Sequence, residues 1–405
     1  MALGRRKDRQ KEMFVAWDEV PRSRGHVFYD RLQEVLLESR FDDHAEALCA
    51  PFYAKKMGRP SIPPGRYFRM HLVGYFEGIE SERGIEWRCA DSLSLREFLL
   101  LETMEQVPDH STLSTTRSRL SLEAHKEIFS WALSVIAESG LVSGGCVGVD
   151  ASTMEANAAL RNIVRRDTGE NYRQMLARMA KENGIETPTV EELIRIDQKR
   201  KGKKLSNADW ESPVDPDARI AKMKDGRTHL AYKPEHAVDL DTGAIVAAEM
   251  YHADEGDTAT GEKTLDAAQE NLKQVVEAPP EPDDPADAVM DKGYHSRDVL
   301  KKMNDGPWRS RIAEPKRNGI NRWDGDHAAR RAVYNNRKRI ASGIAKAMAK
   351  KRTELVERSF EHVLDRCGGM RRTGLRGREN VHKRYLIHVA GFNLGLLMRQ
   401  KFGFG

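Results

Sequence analysis

Apolar positions at helical spacing mark the first third of the chain. After the Pro/Gly-rich stretch Gly58–Arg66, residues Phe68, Leu72, Tyr75, Phe76 and Ile79 recur every three or four positions, predicting a helix over Tyr67–Ile79. Ser92–Leu101 is a second short helical segment. Pro108–Leu120 reads as a polar turn feeding a helix, with Asp109 or Ser111 as N-cap. Ala124–Ser139 carries Ile128, Phe129, Leu133 and Ile136 on one face, and Gly140 stops it. Residues 58–140 therefore read as an all-helical domain behind a mixed, polar extension, 1–57. A unit of this size suits a DNA reader, a packing module or a dimer unit equally well.

The period then changes. Gly145–Ser152 alternates Val147 and Val149 among small residues and ends on Asp150, as a short buried strand does. A polar helical insertion follows, roughly 155–213, with Met175, Leu176 and Met179 on one face and a basic run at Lys199–Leu205. Two strand-like runs after Arg227 are joined by Asp241-Thr242-Gly243, a hairpin signal. The pattern continues with a helix over Thr258–Val275 and an acidic, proline-rich loop, Glu277–Asp287. A strand, Ala288–Met290, ends in Asp291; then come a helix over Ser296–Met303, a strand around Arg309–Ala313 and a long helical element from Ala328 to Arg366. In this order the first and fourth strands can lie parallel and adjacent, with Asp150 and Asp291 at their C-terminal ends, where α/β folds place ligands. The expected fold class is α/β: a ribonuclease-H-like mixed sheet with a helical insertion after the first strand, preceded by the helical domain. Residues 141–366 are expected to form this ribonuclease-H-like domain with its insertion, and 367–405 a basic segment ending in a helix that buries His388, Phe392, Leu394 and Leu397.

Composition narrows the class. Four cysteines without a CxxC pair argue against zinc and disulfide frameworks and fit a reducing cytosol. No apolar run is long enough to span a bilayer, and the N-terminal charges precede no apolar stretch, so a cytoplasmic location and no membrane partner are expected. The net charge of +5 is unevenly spread: 301–405 holds 26 Lys+Arg against 9 Asp+Glu, whereas 1–300 holds 41 against 53. A basic block of that size points to a polyanion.

Two strand-end carboxylates side by side repel, and a divalent cation removes that repulsion. Mg²⁺ (with Mn²⁺ as a substitute) suits a few carboxylates, water and phosphate oxygens. The third acid should come from the last long helix, where Glu354, Glu357 and Glu361 compete. Glu357 lies closest to the apolar stripe Val356, Phe360, Val363 and Leu364, and an exposed glutamate paired with neighbouring cations is the alternative. Asp254, Glu255 and Asp257 read as a cluster at a helix start, and Glu155 and Asn157 as supports just past Asp150. Trp308 and Trp323 are candidates for stacking on a base, or for packing.

The segments Gly148–Ala158, Asp215–Ala247, His252–Thr258, Asp291–Ser296 and Val356–Val381, in that order, resemble bacterial insertion-sequence DDE transposases of the IS-four/IS-five superfamily type. The likeness runs from about residue 58 to 400. It implies a catalytic and metal-holding triad of Asp150, Asp291 and Glu357. The superfamily's signature Tyr, Arg and Lys positions around the glutamate hold Lys350, Thr353 and Leu364 here, which leaves Arg352, Arg358 and Arg366 as candidate phosphate contacts. Further candidate DNA contacts are Lys292, Tyr294 and His295 after the second acid, and Arg371, Arg372, Arg376, Arg378 and Lys383 in the basic stretch Met370–Arg384. The expected partners are double-stranded DNA, as terminal inverted repeats and target, and a second copy of the chain, since two ends must be held together. A DNA endonuclease without strand transfer and a catalytically dead end-binding repressor are the rival readings.

Overall fold

The protein is described by a computed structural model covering residues 27–54, 61–102, 104–200, 205–223, 226–316 and 323–403. Seven helices come first: α1 (Val27–Glu38), α2 (Phe41–Cys49), α3 (Pro64–Phe76), α4 (Glu82–Ala90), α5 (Leu93–Phe98), α6 (His110–Arg119) and α7 (Leu122–Glu138). Their starts follow local chemistry. The side chains of Ser81, Ser92, Asp109 and Ser121 each accept a first-turn backbone N–H. Tyr29, Leu32, Leu36 and Phe41 of α1 and α2 are buried with Tyr67, Phe68 and Leu133 in one cluster. The helical region thus begins by Val27, and the boundary expected at residue 58 is not a boundary in the packing.

Strand β1 (Cys146–Ala151) follows, then β2 (Met154–Glu155). The insertion holds a small two-stranded sheet, β3 (Val164–Arg165) with β4 (Trp210–Glu211), around α8 (Tyr172–Glu182) and α9 (Val190–Lys199). Both helices open on capping boxes, Asn171 with Gln174 and Thr189 with Glu192. The part of the basic run at 201–204 lies outside the described residues. The main sheet resumes with β5 (Arg219–Lys222), β6 (Thr228–Asp239) and β7 (Ile245–His252), where Gly243 supplies the positive φ of the hairpin turn. Then come α10 (Asp257–Val275), β8 (Ala286–Met290), α11 (Arg297–Asn304), β9 (Trp308–Ile312), α12 (His327–Ile340), α13 (Gly343–Phe360) and α14 (Arg378–Phe402).

The spine of the sheet runs β7–β6–β1–β8–β9. Strand β6 is antiparallel to β7 and β1, whereas β1, β8 and β9 are mutually parallel. The long β6 also carries β2 and β5 along its first half. The long element expected over 328–366 is two helices, broken around Ala341 and Ser342, and closed by a π-helical turn over Glu361–Arg366. Gly148 explains how α13 lies so close to β1: a Cβ there would stand 2.9 Å from Arg352 Cγ and 2.7 Å from Leu240 Cδ2.

Helix α14 is buried along most of its length and packs against α3, α7 and β7. Asn393 locks it to the sheet edge, accepting from Ile245 N–H at 2.9 Å and donating to Ile245 O at 2.9 Å. Val147, Val149, Ala288 and Met290 of the sheet share a core cluster with Leu133, Ile136 and Leu394 of the helices. Each such buried Val, Leu, Ile or Met contributes about 1.5–3 kcal/mol. The helical region and the sheet are therefore packed as one unit, and the buried terminal helix begins as early as Arg378, within the basic stretch.

Candidate active site

Backbone register positions the two aspartates. The last paired residues of β1 and β8 are Val149 and Met290, so Asp150 and Asp291 are the next residues on adjacent parallel strands. Paired strands stand about 4.8 Å apart, and two like charges at that spacing repel by roughly 3.5 kcal/mol at an effective dielectric near 20. Burial is the main cause that raises the Asp150 pKa above the usual carboxylate range, and the nearby Asp291 charge adds to it. Arg352 acts the other way: its Nη1 donates to Asp150 Oδ2 at 2.6 Å. The Ala151 N–H donates to Oδ1 at 2.8 Å. Asp291 is half-buried and caps the short 3₁₀ turn Lys292–Tyr294 by accepting the Lys292 N–H.

Glu357, expected as the third acid, lies on α13, which crosses the Asp150 face of the sheet. His236 is the cross-strand partner of Asp150 and shares its face. Its ring lies parallel to Phe360, with centroids 4.1 Å apart, and bonds Ser359 Oγ at 2.8 Å and the Tyr385 hydroxyl at 2.6 Å. Arg352 and Ser359 thus pin α13 on either side of Glu357. The Glu357 side chain is exposed and has no hydrogen-bond or ion-pair partner among the described residues. The structure brings Asp150 and Asp291 together and puts Glu357 on the covering helix, but leaves the three carboxylates outside mutual coordination distance. Among the described residues, the group of acids and histidine that does converge, with ligand atoms within 4.8 Å, is Glu86, Asp109 and His110 in the helical region. It is held by its own contacts: His110 Nδ1 is 2.8 Å from Glu86, and Asp109 caps α6.

A second charged cluster lies on the opposite face of the sheet. Ala151 pairs with Glu235, whose fully buried carboxylate accepts from Thr260 Oγ1 at 2.7 Å. Burial raises the Glu235 pKa, and Lys233 opposes that shift. Lys233 Nζ stands 2.7 Å from Asp257 and 2.8 Å from Thr260 Oγ1. Asp257 in turn abuts the Asp291 turn, since a Cβ on Gly293 would fall 2.4 Å from Asp257 Oδ2. Asp257 was expected in a cluster at a helix start. It is indeed the first residue of α10, and it also ties that helix to β6 and to the turn after the second acid. The Lys-Pro-Glu-His run inside an apolar strand was the available signal, because charges two apart on a buried strand need partners.

Several expected contacts lie elsewhere. Tyr294 and His295 are buried, so the turn after Asp291 offers only Lys292 at the surface. Lys383 is buried in α14 and pairs with Glu379 at 2.6 Å, because α14 is a core helix; its side chain does not line a DNA surface. Arg371 is spent on Asp365 at 2.6 Å and on Ser152 Oγ at 3.0 Å, joining the loop before α14 to the end of β1. Arg372 is exposed and 3.6 Å from Glu155. Arg376 and Arg378 lie at the start of α14, where the Arg378 N–H donates to Asp217. Trp308 is buried as packing, whereas Trp323 is half-buried beneath the Arg297 guanidinium at 4.8 Å.

Comparison with known families bears on this arrangement. The family model described as Transposase DDE domain matches residues 191–394, just over half of the chain. The chain belongs to the DDE transposase family. A second model, Transposase domain (DUF772), matches residues 17–119, the helical region. No curated protein and no solved structure matches. The DDE match includes Asp291, Glu357 and the hairpin carrying Lys233 and His236, and starts beyond Asp150. Transposases of this family act on DNA and depend on divalent metal ions. No helix among the described residues is long and apolar enough to cross a membrane.

The donors here fit such an ion. Asp150 and Asp291 offer only oxygen donors, at the ends of adjacent strands, and an ion there would compete with the Arg352 guanidinium for the Asp150 carboxylate.

Proposed function

We propose that the protein cuts DNA at the inverted-repeat ends of its own insertion sequence and joins the freed 3′-hydroxyls to target DNA. The observation that carries this reading is the placement of Asp150 and Asp291 at the ends of adjacent parallel strands, beneath the helix that bears Glu357. The strand order, with one antiparallel hairpin beside three parallel strands and an insertion after the first, supports a ribonuclease-H-like domain. Asp150, Asp291 and Glu357 would hold Mg²⁺ or Mn²⁺, which supplies activation of a water or 3′-hydroxyl and stabilisation of the leaving oxygen.

The chain's own residues set the stage. Arg352 neutralises Asp150 and keeps the paired aspartates tolerable beside each other. The His236–Ser359 bond fixes the height of α13 over the strand ends. Asp257 packs closely against the turn that carries Asp291. Lys292, Arg372, Arg376 and Arg378 stand as backbone-phosphate contacts, and two copies of the chain would hold the two ends. The protein would work in the bacterial cytoplasm, on the nucleoid when bound.

The test is Mg²⁺-dependent nicking of a duplex bearing the element's terminal repeat, followed by strand transfer with pre-cut ends. The proposal expects cutting and joining by the wild type and neither by Asp150→Asn. Cutting without joined product would favour a nuclease. Tight binding with no cutting would favour an end-binding repressor.

A further inference from the structure

Between His327 and Thr353 the chain has nine Lys and Arg and no Asp or Glu. This stretch is α12, packed on β9, and most of α13, packed on β1, β6 and β8. Four of the nine are used internally. Arg337 pairs with Glu314 at 2.7 Å, Arg339 donates to Ser310, Lys351 meets Asp241 at 3.2 Å, and Arg352 holds Asp150. The other five, Arg330, Arg331, Lys338, Lys346 and Lys350, are exposed and have no ion-pair partner among the described residues.

Their order has direction. On α13, Lys346, Lys350, Thr353 and Glu357 follow at spacings of four, three and four, which keeps them on one stripe of the helix. At 1.5 Å per residue the stripe is about 16 Å long, and it ends on the proposed third acid. On α12, Arg330, Tyr334 and Lys338 form a second stripe. Tyr334 is half exposed beneath the guanidinia of Arg330 and Arg337, at 5.8 and 5.2 Å. A solvated helix face of ordinary composition mixes both signs and makes i,i+4 pairs, as Arg358 and Glu354 do one turn further on. Twenty-seven residues without one acid instead leave a surface of one sign that runs along α13 to Glu357. The chemistry that answers such a surface is a row of phosphates.

We propose that the α12–α13 hairpin is the track along which the backbone of duplex DNA approaches the acids, held by Arg330, Arg331, Lys338, Lys346 and Lys350. This rests on the reading of the chain as a DNA-cutting transposase. It places the main phosphate surface on the hairpin rather than on the 371–383 stretch, where Arg371 and Lys383 are engaged in folding and Arg372, Arg376 and Arg378 remain as lesser contacts. The contacts are to backbone, so the track carries no sequence preference.

The experiment uses the full chain, a fluorescently labelled 30-base-pair duplex of arbitrary sequence and a salt titration without divalent metal. The compared protein carries Arg330→Gln, Arg331→Gln, Lys338→Gln, Lys346→Gln and Lys350→Gln together. Neutralising five contacts should flatten the slope of log K against log salt by about 4–5 and weaken binding at moderate salt by a hundredfold or more. A charge-preserving variant, Lys338→Arg, Lys346→Arg and Lys350→Arg, should keep the wild-type slope. Arg372→Gln, Arg376→Gln and Arg378→Gln together should change it by less than the five-site variant does. An unchanged slope in the five-site variant, or a larger loss in the 372–378 variant, overturns the track while leaving the transposase reading intact. A wild type without salt-sensitive binding overturns both.

Discussion

Replacing Arg352 by Gln isolates the contact on which the two aspartates depend. Gln keeps part of the stem that lies on Gly148 and removes the positive charge from Asp150 Oδ2. The Arg352 side chain is 14% exposed and that of Asp150 30%, so the pair is neither a surface bridge nor fully dry. A charge-assisted bond in such a setting is worth about 1.5–3 kcal/mol. Leaving the carboxylate unpaired beside Asp291 pushes the cost to the upper part of that range. Arg352→Gln should therefore lower unfolding stability by about 2–3 kcal/mol in urea at pH 7 with EDTA present. In an Asp150→Asn background the same change should cost at least 1 kcal/mol less, since no charge is left stranded. The cost should also shrink on acidification. The Asp150 pKa is already raised by burial, so its ionised form opposes folding above that pKa, and losing Arg352 raises it further. Protonation then removes the penalty as pH falls. Because the guanidinium competes for the same carboxylate, Mn²⁺ measured by titration calorimetry should bind Arg352→Gln more tightly, about tenfold for each 1.4 kcal/mol released. Equal costs of Arg352→Gln with and without Asp150 would refute the reasoning and assign the effect to stem packing on Gly148.

Other outcomes follow from neighbouring contacts. Asp150→Asn relieves the repulsion with Asp291 while giving up the Arg352 bond, so its unfolding free energy in urea should stay within about 1 kcal/mol of wild type while Mn²⁺ binding is lost. Gly293→Ala should push Asp257 off the Asp291 turn, costing about 1–3 kcal/mol by overpacking and weakening Mn²⁺ binding with it. A normal metal isotherm in a folded Gly293→Ala protein would show that the turn does not depend on Asp257. Burial holds the His236 pKa down at about 3, so the folded state stays neutral where the unfolded chain takes up a proton. Stability from this residue is complete above pH 6.5 and is lost as pH falls toward 3. His236→Gln should accordingly flatten the fall of urea midpoint between pH 6.5 and 4, and an unchanged slope would place the acid sensitivity on other buried histidines.

Element order and the strand ends were legible because period and burial go together: Val147 and Val149 alternate, and the next residue is the acid. The hairpin at Asp241–Gly243 and the helix α10 were legible for the same reason. What the pattern hid was partnership. Lys383 reads as one more cation in a basic run, yet α14 buries it, and only the packing of α14 against α3 and α7 shows this. Tyr294 and His295 follow an acid in sequence but turn into the core behind it. Arg352 stood among candidate phosphate contacts, and its bond to Asp150 spans 202 positions, beyond the reach of local spacing. The two helices at the start were missed as part of the domain because a mixed polar stretch conceals Tyr29, Leu32, Val35 and Leu36 on one face.

The position of α14 also has a bearing on how the protein is made. Val381 to Met398 fill the space between the first helices and β7, so the earliest residues of the fold wait for some of the last. During synthesis, at 5–20 residues per second, a growing chain that has not passed Met398 carries a finished sheet with an open flank. Truncated products of the gene would expose that apolar flank and go to proteases or aggregates instead of competing for DNA. The helix thereby acts as a completeness check, since a chain closes its core only after α12, α13 and all three proposed acids have been translated.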